Sequence, residues 1–329
     1  MRPAMLLAPH PFRGGPLLHR DQWLARGVTR RRLASPEFTT LIPGWSALSN
    51  DPPSVAAVAR AVLERLAPHR AALCGPTAAE LLGISLPPRL RTAATGRIHV
   101  LSLSANRLMS TSYRRIHRDG RGDQVPRIRL GDLLLSPPVE VLCQLAGDLT
   151  HAELVAACDA VLDHQRLQIP APSPAVLRDE LLRLTPDPGI AAREDAPSGA
   201  PRRALPGVRA MLRALNDARP NVLSPWETHT RLLLLRAGFP EPVPNLPIRD
   251  PVTGTRHILD LAYPALKICI EYDGDWHRTD RARFRRDRLK DAVLRRLGWE
   301  VVRITVEQAV RPESFLAHLR AVWSAMEAA

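Results

Sequence analysis

The chain has 329 residues, 45% of them hydrophobic, so most of it is expected to fold, into two or three domains with cores of their own. Its 46 Lys and Arg against 33 Asp and Glu leave a net charge of +13, which favours a polyanionic partner and says nothing about fold. Cys74, Cys143, Cys158 and Cys269 stand far apart with no CxxC pair, which argues against a zinc site or a disulfide framework. No apolar run approaches the roughly 20 residues of a membrane span. The opening MRPAMLLAPHPFRGG also lacks the apolar core of a signal peptide, so a cytoplasmic protein with no membrane partner is expected.

Residues 1–50 begin with a short helix at about His19–Arg26, with Gly27 in the turn. A second helix, capped by Thr29, runs to Leu33, and FTTLIPGWSAL follows as a β-hairpin. Helix, turn, helix, hairpin is the order of a winged helix-turn-helix. Arg30, Arg31 and Arg32 on the second helix suit phosphates or guanine edges.

Residues 51–165 mix helices (SVAAVARAVLERLA, PTAAELLGI, PPVEVLCQLAGDL, HAELVAACDAVLDH) with strands (RIHVLSLS, YRRIHR). His99, His117 and His151 stand singly there, and no catalytic spacing appears. This middle α/β domain is expected to pack, or to meet a protein partner or a second copy of the chain. Residues 166–220 turn Pro/Gly-rich and read as a partly helical connection, with helices at AVLRDELLRL and VRAMLRALNDA.

Residues 221–329 carry the chemistry. SPWETHTRLLLLRAGF opens with Ser224 as N-cap, Pro225 at the first helical position and Glu227 at the third, a capping-box pattern. HILDLAY reads as a strand, PALK as a turn and ICIEYDG as its antiparallel partner. A basic helix over about Thr279–Leu297 and a last strand in GWEVVRIT complete a small α/β domain with a mixed sheet. Asp260 sits mid-strand, where a lone carboxylate is costly. Period-two alternation points Glu271 and Asp273 to one face, and the hairpin brings Asp260 toward Glu271. Carboxylates so close repel unless a hard cation neutralises them, and oxygen ligands favour Mg²⁺ or Mn²⁺. Such an ion activates water and stabilises a phosphodiester in flight, with His277 handling a proton or the phosphate. Between residues 277 and 303, ten Lys and Arg stand against four acids, a basic flank for a nucleic acid backbone that includes Arg283, Arg286 and Lys290.

Asp260, the IEYDG segment, His277, the Arg-Arg-Asp run and the GW-x-V-x-R run together resemble the small endonucleases related to very-short-patch repair (Vsr-like). These form a branch of the PD-(D/E)xK, restriction-endonuclease-like superfamily. The resemblance covers about residues 220–323. It implies Glu227 as the acid of the first helix, Asp260 as the central metal-binding aspartate, and Glu271 and Asp273 as the third-motif acids. His277 and Asp287 then match the His and Asp of the branch's variant motif. The lysine of the ExK motif is absent, Asp273 standing in its place. His277 or an arginine such as Arg286 must then position the water, or the domain binds without cutting. Residues 1–50 resemble, more loosely, the winged-helix domains of AbiEi-type antitoxins.

The expected molecule is therefore an α+β, multi-domain protein with a winged-helix-like N-terminus, a mixed α/β middle and a restriction-endonuclease-like C-terminal domain. Its expected activity is Mg²⁺-dependent hydrolysis of DNA phosphodiesters, with Asp260, Glu271 and Glu227 as metal ligands. The alternatives are a non-catalytic DNA-binding regulator that keeps the nuclease fold, and an RNA-cleaving relative of the same site.

Overall fold

The computed structural model describes residues 10–66, 71–103, 108–121, 124–165, 167–184, 205–273 and 281–328, with residues 281–287 described by their backbone. The described residues form thirteen α-helices and three β-sheets, an α+β chain that divides into two compact units, Met1–Ala218 and Arg219–Ala329. No described helix is long and apolar enough to cross a membrane. All four cysteines are buried and free.

In the first unit, β1 (Leu18–His19), α1 (Arg20–Ala25), α2 (Arg30–Leu33), β2 (Phe38–Ile42) and β3 (Trp45–Leu48) follow one another, and the strands form an antiparallel sheet in the order β1-β3-β2. Thr29 caps α2 by accepting the Arg32 N–H at 3.2 Å. Trp23, Val28 and Phe38 make a small core, and the Trp23 indole N–H donates to the Ser46 carbonyl at 2.8 Å, tying helix to hairpin. The helices and hairpin stand where the sequence pattern puts them.

After α3 (Val55–Glu64) come β4 (Ala71–Leu73), α4 (Gly75–Leu82), α5 (Thr92–Thr95), β5 (Ile98–Ser102), β6 (Arg114–Arg118), β7 (Ile128–Leu130) and β8 (Leu133–Leu135). These strands form a mixed sheet in the order β6-β5-β4-β8-β7. The strands expected in RIHVLSLS and YRRIHR are β5 and β6. The others have three residues each, too short to display an alternation. His99 and His117, far apart in sequence, meet across β5 and β6 with Nδ1 and Nε2 3.0 Å apart and stacked rings. Burial first, then the neighbouring His117, pushes His99 down to about 4, so the pair is neutral at ordinary pH.

The helices α6 (Pro138–Leu145), α7 (His151–Val161), α8 (Pro174–Arg183) and α9 (Val208–Asp217) complete the unit. Although the last two arise in a Pro/Gly-rich stretch, they bury Leu177, Leu181, Val208 and Met211 completely. Gly207 starts α9 at φ +92°, where an added Cβ would lie 2.4 Å from the Cys143 carbonyl oxygen; only glycine permits that approach.

The second unit contains α10 (Pro225–Arg236), β9 (Val243–Arg249), β10 (Arg256–Tyr263), β11 (Ile268–Asp273), α11 (Arg281–Arg296), β12 (Glu300–Thr305), α12 (Val306–Val310) and α13 (Glu313–Glu327). Its sheet runs β12-β11-β10-β9, parallel between β11 and β12 and antiparallel elsewhere, which is the mixed sheet expected. The edge strand β9 is an addition to that expectation, and its prolines are tolerated because only one side of the strand is paired. Ile268 and Ile270 face a core with Leu234 of α10 and with Phe315 and Leu319 of α13. Cys269 faces Leu294 of α11, together with Ala262 and Trp299. The sheet is thus covered on both faces, which is why ICI is continuously apolar.

Leu294 is fully buried and anchors α11, whereas Leu289 on the same helix is 66% exposed. Leu294→Ala should therefore destabilise the unit by about 2–5 kcal/mol. Leu289→Ala should change stability by less than about 0.5 kcal/mol, both read by chemical denaturation of the full chain.

Candidate active site

Three separate elements contribute acids here, and Asp260 stands near each of the other two. The first is Glu227, at the third position of α10. Its backbone N–H donates to Ser224 Oγ at 3.2 Å, the capping bond that the sequence predicts. The return bond of the expected capping box is not made, because the carboxylate is drawn past Ser224 to other partners. Oε2 accepts the Leu223 N–H at 2.9 Å and the side-chain amide of Asn245. Glu227 is 6% exposed, too deep for a simple surface cap.

Asn245 carries no signal in the sequence, yet it organises this corner. The ladder pairs Leu259 with Leu246 and Leu261 with Pro244, which leaves Asn245 opposite Asp260. Its φ is +49°, a left-handed conformation that asparagine tolerates better than most residues. From there Nδ2 donates to the Asn221 carbonyl at 2.8 Å as well as to Glu227. The regular alternation breaks at the same point: Leu259 and Ala262, of opposite parity, share one apolar cluster. An irregular strand at a candidate site re-aims side chains that a regular one would send elsewhere.

Asp260 accepts the Tyr272 backbone N–H on Oδ2 at 3.3 Å. The β10–β11 register, Leu261 with Ile270, brings Glu271 beside Asp260 across the hairpin, as the turn at PALK predicts. Tyr272 points to the opposite face from Glu271 and stacks on Trp226, ring centroids 4.6 Å apart and planes at 10°. The two acid-bearing elements are thus braced by an aromatic pair next to the acids in sequence.

Glu271 forms an ion pair with Lys290 of α11, side chains 15% and 18% exposed respectively. The same carboxylate oxygen lies 3.6 Å from Cys269 Sγ, one row deeper on the same face. Sequence placed Lys290 with Arg283 and Arg286 as a contact for phosphates on a solvated helix. It stands instead among the acids, because Leu294, one turn later, fixes that face of α11 against the sheet. Asp273 closes β11 opposite Thr305, and Arg303, beside Glu271 in the parallel register, donates to both Asp291 oxygens at 2.6 and 2.7 Å.

Electrostatics follow from this crowding. Burial first, then the charge of Asp260, raises the Glu227 carboxyl from 4.5 to about 7. Burial alone would lower the Lys290 ammonium, but the charges of Glu271 and Asp260 and the hydrogen bond to Glu271 outweigh it and hold the group above its ordinary value. Among the described residues no three His, Cys, Asp or Glu side chains form a ready metal cluster. Glu227 and Asp260, mutually repelling oxygen donors, fit a hard divalent cation, and Glu271 beside them is held by Lys290.

His277 lies outside the described residues, as do the side chains of Arg283, Arg286 and Asp287. Arg30, Arg31 and Arg32 belong to the other unit, where all three are exposed. Arg32 there forks onto Glu37, with Nε 2.8 Å from Oε2 and Nη2 2.5 Å from Oε1.

The raised carboxyl has a consequence for stability in metal-free protein. Folded Glu227 keeps its proton to about pH 7, while an ordinary carboxyl releases it near 4.5. The folded state therefore binds more protons between these values, and this group's contribution to stability falls as pH rises through that window. Glu227→Gln should flatten the fall in denaturation experiments run across it. Asp260→Asn should lower the Glu227 midpoint read by carboxyl NMR.

The chain matches no family model and no solved structure. Two uncharacterized proteins of Mycobacterium tuberculosis, one from strain CDC 1551 / Oshkosh and one from strain ATCC 25618 / H37Rv, are each 31% identical to it over 119 residues. The match takes in 36% of this chain, which spans 43% of the length of those relatives.

Proposed function

We propose that the second unit is a divalent-metal-dependent endodeoxyribonuclease and that the N-terminal segment is a winged-helix-like module that binds the same DNA. What carries this reading is the pair Glu227 and Asp260, brought from a helix and a strand close enough for their charges to repel, with Glu271 of the neighbouring strand beside Asp260 and held by Lys290. Carboxylates gathered without a structural need are rare, because each repels the next.

Glu227, Asp260 and Glu271 would hold Mg²⁺ or Mn²⁺, the oxygen-rich set such ions take. When bound, the ion supplies a water of lowered pKa and stabilises charge on the phosphodiester. The chain's own residues orient these parts. Asn245 and the Leu223 N–H hold Glu227 in place, and the Tyr272 N–H holds Asp260. Arg288 and Arg295, exposed on α11, suit the backbone phosphates on either side. His277 keeps its place in the reading as the group that handles a proton or the phosphate. The substrate class is DNA; an RNA substrate uses the same chemistry and is an arm of the test.

A second reading, a DNA-binding regulator that keeps the site without cutting, is favoured by the hold of Lys290 on Glu271. Purified full-length protein incubated with supercoiled plasmid, single-stranded DNA or RNA, in Mg²⁺ or Mn²⁺ with and without chelator, separates the two. Cutting that needs metal and falls by at least about 10²-fold in both Asp260→Ala and Glu271→Ala is expected for the nuclease. Tight, salt-sensitive binding with no cutting supports the regulator. Because Arg32 is committed to Glu37, changing Arg30, Arg31 and Arg32 together to Ala should reduce the salt slope of DNA binding by about two, not three. An unchanged slope removes the N-terminal module from the reading.

A further inference from the structure

Lysine is nearly absent from this chain. Of its 46 Lys and Arg, only Lys267 and Lys290 are lysines. Lys267 sits in the β10–β11 turn, where its Nζ donates to the Leu297 carbonyl at 3.0 Å. The other is at the acids. Its neighbours Arg288 and Leu289 are exposed, while Lys290, one turn before buried Leu294, turns inward to Glu271.

The choice of side chain has physical content. An arginine would lock a carboxylate with a planar, two-pronged fork, whereas an ammonium is a compact point charge on a flexible stem. A buried ion pair adds little stability over an apolar pair of the same size, so holding the fold together is a poor reason for this one. The pair is also not sealed: 18% of Lys290 and 15% of Glu271 remain open to solvent. A movable cation therefore rests on a carboxylate at the rim of a site whose other acids repel one another.

Building on the nuclease reading, we propose that Lys290 is the site's resident cation: its ammonium holds Glu271 while no divalent ion is present, yields that carboxylate when one is taken up, and then donates a hydrogen bond to a non-bridging oxygen of the phosphodiester. Lys290 thereby competes with the metal in the resting site and assists the substrate in the loaded one. No bond is made or broken by the lysine itself; it moves from one anion to another.

The two roles pull a variant in opposite directions, which makes them testable with full-length protein. Lys290→Met, Lys290→Arg and the wild type would be titrated with Mn²⁺ alone by calorimetry, melted with and without Mn²⁺, and assayed on supercoiled plasmid. Lys290→Met should bind Mn²⁺ several-fold more tightly and gain more in melting temperature from it than the wild type. It should nevertheless cut roughly 10²–10³-fold more slowly. Lys290→Arg should bind Mn²⁺ no more tightly than the wild type and recover part of the cutting. Where Lys290→Met is poorly folded without metal, rescue of its melting by Mn²⁺ supports the competition directly. A merely structural lysine predicts unchanged or weaker Mn²⁺ binding in Lys290→Met, and that result overturns the proposal, as does cutting at the wild-type rate. A wild type that binds Mn²⁺ and cuts while Lys290→Met matches it overturns the role of the lysine alone. A wild type that takes up no Mn²⁺ overturns the nuclease reading and this proposal with it.

Discussion

Like charges do not gather in a folded chain without compensation, and the second unit is arranged around that constraint. Glu227, Asp260 and Glu271 come from a helix and from two strands of a hairpin, and each has a dedicated counterweight. The Leu223 N–H and the Asn245 amide serve Glu227, the Tyr272 N–H serves Asp260, and Lys290 serves Glu271. Several irregular features then fall into place. From a positive φ the Asn245 amide reaches both Asn221 and Glu227. The prolines on either side of it mark an edge strand that departs from regular geometry at that residue. The Trp226–Tyr272 stack joins the helix carrying one acid to the strand carrying another.

Much of this was legible because it is written in short-range pattern. The hairpin of β10 and β11 follows from two apolar alternations separated by PALK, and its register alone brings Asp260 to Glu271. The start of α10 follows from Ser224 and Pro225. Neither the depth of Glu227 nor its partner Asn245 was legible, since the capping pattern accounts for Glu227 without reference to the strand it meets. Lys290 shows the limit most clearly. In a helix crowded with arginine, charge alone does not say which residue turns inward. The usable signal was its four-residue spacing from Leu294, read as a core position only once Trp299 and Cys269 are known to lie opposite. The strands β4, β7 and β8 escaped because three residues carry no period.

The net charge of +13 also changes meaning once side chains are placed. Many of the arginines are committed to acids. Arg121 bridges Asp119 and Glu140 in the interior of the first unit, Arg89 holds Glu153, Arg60 holds Asp132, Arg296 holds Asp250, and Arg303 holds Asp291. These pairs are structural and contribute modestly where they are exposed. The basic surface that can meet a polyanion is therefore smaller and more local than composition suggests. Among the described residues, Arg30 and Arg31 in one unit and Arg295 in the other are exposed.

A site that supplies its own cation differs in kind from a structural metal site. Where metal binding is folding energy, the ligands are uncompensated without the ion and the domain does not hold together. Here each acid has a backbone N–H, an amide or an ammonium as a partner. The cost of uncovering the carboxylates is deferred until an ion arrives, and it is smallest at Glu271, whose partner is a flexible chain at the rim of the site and not a fixed backbone group. Under the proposed reading, a divalent ion would compete with Lys290 for Glu271 and with a proton for Glu227, whose raised affinity for that proton comes from burial and from the Asp260 charge.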